Sequence, residues 1–138
     1  MLKNLQSPEE VRSSFRVFTH LRSHLDEDTF VEQALRQLEQ GYIISAIVED
    51  GRVVSVAGYR FSESLAWGKY IYIDDLVTHP DARGHGYAGQ LLNHVKSLAV
   101  EHNLDAVHLD SGHTRFDAHR VYLNHGYKIT SHHFVLKL

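Results

Sequence analysis

The 138-residue chain contains no cysteine. That excludes disulfides, zinc–thiolate sites and cysteine nucleophiles, and it suits a reducing compartment. Basic residues are also short: 14 Lys and Arg stand against 17 Asp and Glu, a formal net charge of -3. No broad basic surface is expected, so nucleic acid is not the expected partner. No apolar run reaches membrane-spanning length, and MLKNLQSPEE carries no apolar signal core. A cytoplasmic protein with no membrane partner follows as the expectation. With 43% hydrophobic and 22% charged residues, the composition is that of an ordinary globular chain, and one domain over 1–138 is expected.

What is abundant is histidine, twelve in all. His20 and His24 are four apart and could share a helix face, but no HExxH or similar pattern supplies a third ligand. His132 and His133 are adjacent and would point to opposite faces of a strand. No metal is expected, and most of these side chains read as solvated or locally hydrogen-bonded.

Along the chain, SPEE at 7–10 reads as a helix start, with Ser7 as cap, Pro8 in the first turn and Glu10 completing a capping box. Val11, Phe15 and Phe18 continue it at helical spacing. A second helix is expected from near Asp28, with Val31, Ala34, Leu35 and Leu38 as its stripe and Gly41 at its end. The runs 42–48 and 53–61 flank Asp50-Gly51 as a hairpin. A third strand lies within 65–78, ended by His79-Pro80. Ala88, Leu91, Leu92, Val95, Leu98 and Ala99 make 87–102 the clearest helix, with Asn103 as its stop. A strand over 106–111, a short helix over 116–126 with Asp117 as its cap, and a final strand over 127–138 complete the order. The fold class is mixed α/β (α+β), with a helix-flanked, mainly antiparallel sheet.

HPDARGHGYAGQLL, 79–92, crowds Gly84, Gly86 and Gly89 at the start of the best helix. Glycine costs a helix about 1 kcal/mol relative to alanine. The physical gain is access: a helix start offers free N–H groups and a positive dipole end, and a turn without Cβ atoms lets an anion reach them. Arg83 adds a cation there. A P-loop would need a lysine and Ser/Thr after its last glycine, but Gln90 and Leu91 follow Gly89. The dinucleotide pattern GxGxxG is present as GHGYAG, with Asp110 about twenty residues on. A proline-containing segment separates it from the strand, however, and too little chain follows for a doubly wound sheet.

The segment IYIDDLVTHPDARGHGYAGQLL resembles the acetyl-CoA-binding core of the GNAT acetyltransferase superfamily. The pattern R/Q-x-x-G-x-G/A is met by Arg83, Gly86 and Ala88, after Leu-x-x-x-Pro from Leu76 to Pro80. AHRVYLNHGY, 118–127, resembles the family's A-x-x-x-Y-x-x-x-G-F/Y segment at Ala118, Tyr122, Gly126 and Tyr127. With the element order, the resemblance spans nearly the whole chain.

The resemblance implies a splayed strand pair with acyl-pantetheine in the gap. Backbone groups of Leu76, Val77 and Thr78 would meet the pantetheine amides. Arg83, Gly84, His85, Gly86, Tyr87, Ala88 and Gly89 would wrap the pyrophosphate. Tyr122 would donate to the departing thiolate; as a bland alternative it is a core aromatic. Where the family often has a CoA-contacting asparagine, this chain has Arg115, which could meet a phosphate instead. Asp74 and Asp75 sit inside an apolar run, where carboxylates are costly unless paired or hydrated. As strand neighbours, one should face the cleft and one the opposite side, and the pair is either an amine-binding base or structurally satisfied. His79, His85, His113 and His119 are further candidates for the base.

The implied reaction moves an acetyl group from acetyl-CoA to a primary amine of a small molecule or peptide. The acceptor would be held by the N-terminal helices, SESLAWG and the last strands, with Trp67 and Tyr70 lining its site or simply packing. The alternative is a non-catalytic acyl-CoA-binding sensor or partner module. Either a monomer or a homodimer is compatible, because an exposed last strand is a pairing edge.

Overall fold

The computed structural model describes residues 1–138. Five strands form one sheet in the order β1-β2-β3-β4-β5: Leu2–Leu5, Ile43–Glu49, Arg52–Ser64, Gly68–Thr78 and Ala106–Leu109. All neighbours are antiparallel except β4 and β5, which run parallel. Helices α1 (Pro8–Ser13), α2 (Phe15–Phe18) and α3 (Glu27–Glu39) precede β2, α4 (Tyr87–Glu101) joins β4 to β5, and α5 (Phe116–Asn124) follows β5.

The sheet separates two cores. Val11, Val17, Phe18, Phe30 and Val31 from the first three helices pack on Ile44, Ala46 and Val56. Leu91, Leu92, Val95 and Ala99 of α4 pack on Ile47, Ala57, Ile71 and Ile73. Neighbours such as Val56 and Ala57 enter opposite cores, as the two-residue strand period requires.

Local chemistry sets most boundaries. Ser7 and Glu10 form the expected capping box. Asp26 caps α3 through the Thr29 N–H. Asp50 and Gly51 both have positive φ, as a tight hairpin turn demands. Asn103, at φ +55°, closes α4.

Several expectations are corrected. The first helix is two, because the buried Ser14 turns its hydroxyl onto the Val11 carbonyl at 2.6 Å and interrupts the run. Asp117 does not cap α5: Arg115 is the cap residue, and it makes no side-chain bond. The four-residue β1 has no sequence pattern of its own and exists through its pairing with β2. The segment 127–138 is not a strand. Phe134, Val135 and Leu136 are consecutive and exposed, so it lacks the alternation that would bury one face. Its His133 lies 3.8 Å from Asp110 without joining the sheet.

Candidate active site

Strand β5 stops early, and this opens the site. It pairs with β4 only from Tyr70 to Ile73, while β4 continues to Thr78 with β3 on its other side. From Asp74 to Thr78 the outer edge of β4 therefore has no strand partner. Backbone groups on such an edge need another partner when covered. Beside it lies a narrow slot of about 80 Å³ lined by Leu76, Val77, Thr78, Ala88, Ala118, Val121 and Tyr122. The slot brings together two segments more than thirty residues apart in sequence, the end of β4 and the Tyr122 face of α5. Leu76 and Val77 pack into opposite cores, so their side chains are structural whatever their backbone binds.

At one end of this region is the start of α4. Gly86 is its cap residue at φ +76°, and Gly84 has φ +82°. Both are left-handed conformations that glycine adopts without a Cβ penalty. No side chain caps α4, and its first turn holds no acid. Helices α1 and α3, in contrast, have side-chain caps and acidic first turns. The first N–H groups of α4, from Tyr87, Ala88 and Gly89, lie where a helix has no internal acceptors. Arg83 and His85 are exposed beside them, and the His85 ring bonds the Ala82 carbonyl at 3.1 Å. Gly89 has a different reason for its identity. A Cβ there would meet the His125 imidazole at 3.0 Å, so it lets α5 close against α4.

Tyr122 faces the slot, and burial pushes its phenol above the usual range, with Arg115 pulling weakly the other way. It therefore stays protonated at neutral pH. The Tyr127 ring, 6.0 Å away, is pushed up to about 12, mainly by burial.

The two aspartates correct the expectation of opposite faces. Gly58 pairs with Asp75 and Tyr59 with Ile73, so Asp74 is an extra residue in a β-bulge. At the bulge both aspartates line one cavity of about 330 Å³, lined also by Phe18, Arg22, Leu25, Phe30 and Tyr42. Their situations differ. Asp75 accepts from Arg22 Nε at 2.8 Å and from the Tyr42 hydroxyl at 2.5 Å, one bond on each oxygen. The Asp74 carboxylate accepts only from Arg60 Nε, at 2.8 Å on Oδ2, leaving Oδ1 without a side-chain or backbone donor, while the Asp74 backbone carbonyl accepts from Arg22 Nη2 at 2.9 Å. Burial raises the Asp74 pKa, and Arg60 opposes the rise. Burial and the adjoining Asp75 charge keep the Tyr42 phenol protonated.

The remaining candidates lie elsewhere. Trp67 stacks on His108 with centroids 3.7 Å apart, and Tyr70 meets both edge-on. None of the three lines the cavity. Tyr70 lies four strand residues from Asp74, roughly 13 Å along β4. Nor does SESLAWG line the cavity, whose walls come from α2, α3, the loop between them, Tyr42 and the β4 bulge. His119 donates to the Gly112 carbonyl at 2.8 Å. His79 accepts from the Asp81 N–H, and its ring meets His20 at 4.8 Å. Burial and neighbouring Arg16 depress its pKa. His113 is exposed. Asp110 accepts from the Tyr72 hydroxyl. The sheet's single parallel pair excludes the doubly wound fold that the dinucleotide pattern would require.

Arg22, Tyr42, Gly58 and Arg60 were not legible as site residues. Only Gly58 carried a signal, a glycine inside a strand, which marks a bulge or a close approach. Here it marks both: a Cβ at Gly58 would fall 1.6 Å from the Tyr42 hydroxyl oxygen.

Comparison with known proteins gives the family and agrees with the fold. The acetyltransferase (GNAT) family pattern matches residues 5–127. An uncharacterized N-acetyltransferase, YhdJ of Bacillus subtilis, is 32% identical over 135 residues, covering 96% of this chain and 95% of the relative. Among solved structures, an acetyltransferase of Trypanosoma brucei superposes with a TM-score of 0.83 at 20% identity, covering 100% of this chain and 99% of the other. A ribosomal-protein-alanine N-acetyltransferase of Brucella melitensis does so with a TM-score of 0.85 at 16% identity, again over 100% and 99%. At those identities the structures speak for the fold.

Proposed function

The chain belongs to the acetyltransferase (GNAT) family and is an acyltransferase, and from that premise we propose that it transfers an acetyl group from acetyl-CoA to a primary amine. The observation that carries this reading is the unpaired Asp74–Thr78 edge of β4. It runs beside an apolar slot toward an uncapped, acid-free helix start. An amide-bearing arm ending in a pyrophosphate has the matching chemistry: amides for the strand edge, methylenes for the slot and phosphate oxygens for the α4 N–H groups. Leu76, Val77 and Thr78 then serve through their backbone. Gly84, Gly86, Tyr87, Ala88 and Gly89 serve through N–H groups or close approach, with Arg83, His85 and Arg115 at the anionic end.

Acetyl-CoA supplies the activated acyl group as a thioester. The ammonium first loses one proton to water, the neutral nitrogen bonds to the carbonyl carbon, the C–S bond breaks to release a thiolate that water reprotonates, and a second proton leaves the nitrogen. Asp74 is the candidate acceptor of that proton, directly or through water, because its Oδ1 is free and burial raises its pKa. Asp75 is the positioning partner, since both its oxygens are already used in holding Arg22 and Tyr42. Tyr122 donates a hydrogen bond to the departing sulfur, a role its raised pKa preserves at neutral pH.

The test is a calorimetric titration with acetyl-CoA, with NADH as control, followed by thiol release in the presence of amines. Saturable acetyl-CoA binding without NADH binding, followed by amine-dependent thiol release, is expected. Failure to bind acetyl-CoA refutes the reading.

A further inference from the structure

The cavity beside the bulge carries charges of both signs in direct contact. Arg60 Nε sits 2.8 Å from Asp74 Oδ2, and Arg22 Nε sits 2.8 Å from Asp75 Oδ1. Two guanidiniums face two carboxylates, so the site has no net charge to offer a simple cation. An alkylammonium drawn to Asp74 also meets the Arg60 charge already paired with it, and the two Coulomb terms oppose each other.

The unused valences have a definite pattern. Asp74 keeps Oδ1 free, and Arg60 uses only Nε, leaving both terminal nitrogens without a protein acceptor. The Arg60 guanidinium is held with its carbon 5.7 Å over the Tyr42 ring. A pair of terminal guanidinium N–H groups fits a carboxylate. Next to it, a free carboxylate oxygen fits an ammonium. Asp74 also lines a cavity of about 330 Å³ whose apolar wall is Phe18, Leu25, Phe30 and Ala34, and Arg60, outside that lining, reaches it through its bond with Asp74.

We propose that the acceptor is a free α-amino acid with an apolar side chain, its ammonium on Asp74, its carboxylate on Arg60 and its side chain against Phe18, Leu25, Phe30 and Ala34. An α-amino acid separates its two charges by a single carbon, which matches the direct contact between Asp74 and Arg60. A peptide N-terminus or a plain alkylamine presents only one of the two charges. The proposal rests on the acetyl-transfer reading above and narrows its acceptor.

The experiment compares L-leucine, L-methionine and L-phenylalanine with their carboxamides and with isoamylamine and phenethylamine. Thiol release from acetyl-CoA is one readout, and calorimetric binding to the CoA-loaded protein is the other. A charge-assisted bond to the carboxylate should favour each acid over its amide by about tenfold or more. Arg60→Gln should remove that preference. Arg60→Lys, which keeps the charge without the fork, should retain part of it and guards against a folding defect.

Equal or better use of the amides or amines overturns the proposal and leaves acetyl transfer standing. Persistence of the acid preference in Arg60→Gln also overturns it. Preferential binding of L-phenylalanine over phenethylamine without thiol release supports the amino-acid site and refutes the transfer reading.

Discussion

Gly86→Ala separates backbone strain from anion binding. Gly86 has φ +76°, and a Cβ built there has nothing within 4 Å. The substitution therefore creates no clash, only the left-handed penalty of roughly 1–2 kcal/mol. For a chain of this size that lowers Tm by about 3–8 °C. Gly51 is the control. It has φ +73°, also with nothing within 4 Å, but it sits in the β2–β3 turn. Gly51→Ala should cost the same stability. The two variants should differ only toward acetyl-CoA. At Gly86 the new methyl occupies the approach to the α4 N–H groups. Losing one charge-assisted bond of about 1.5–3 kcal/mol weakens binding roughly 10- to 150-fold. Calorimetry on both variants, with thermal melts alongside, gives the answer. If both lose stability alike and both keep wild-type acetyl-CoA affinity, the glycine turn does not receive the pyrophosphate.

Tyr122→Phe should lower kcat by about ten- to a hundredfold with little change in the KM for acetyl-CoA, as expected for a donor acting on the leaving group. Unchanged kcat would return Tyr122 to a packing role. Gly58→Ala should destabilise the fold by about 1–3 kcal/mol by expelling the Tyr42 ring; denaturant unfolding that matches wild type would contradict the close approach. Glu10, whose pKa is lowered to about 2 mainly by its bond with Lys3, gives a pH prediction. Its stabilisation is fully present above the unfolded value, near 4.5, and is lost as pH falls toward about 2. Glu10→Gln should flatten the stability profile in that window, seen as converging acid-denaturation curves.

Local and periodic features were legible in the sequence. The Ser7–Glu10 box, the Asp50-Gly51 turn, the α4 stripe and the glycine loop each lie within a few residues, where capping, φ preference and helical period act directly. So did the pairing of Leu76–Thr78 with Tyr122, through motif resemblance. The final strand misled because β propensity needs a partner and one buried face, and 127–138 has neither.

The sequence by itself determined that a helix here begins with an uncapped glycine turn. It also determined that two carboxylates interrupt an apolar strand. Only the tertiary structure decided which way those carboxylates point. That depends on one extra residue, Asp74, in β4 opposite the Gly58–Tyr59 step of β3, and a slip of one residue moves a side chain to the other face. It also decided their partners, because Arg22 comes from the loop between α2 and α3, Tyr42 from just before β2 and Arg60 from β3. Pairing between residues distant in sequence leaves no periodic trace in the chain, so the bulge and its two guanidiniums become visible only once the sheet is assembled.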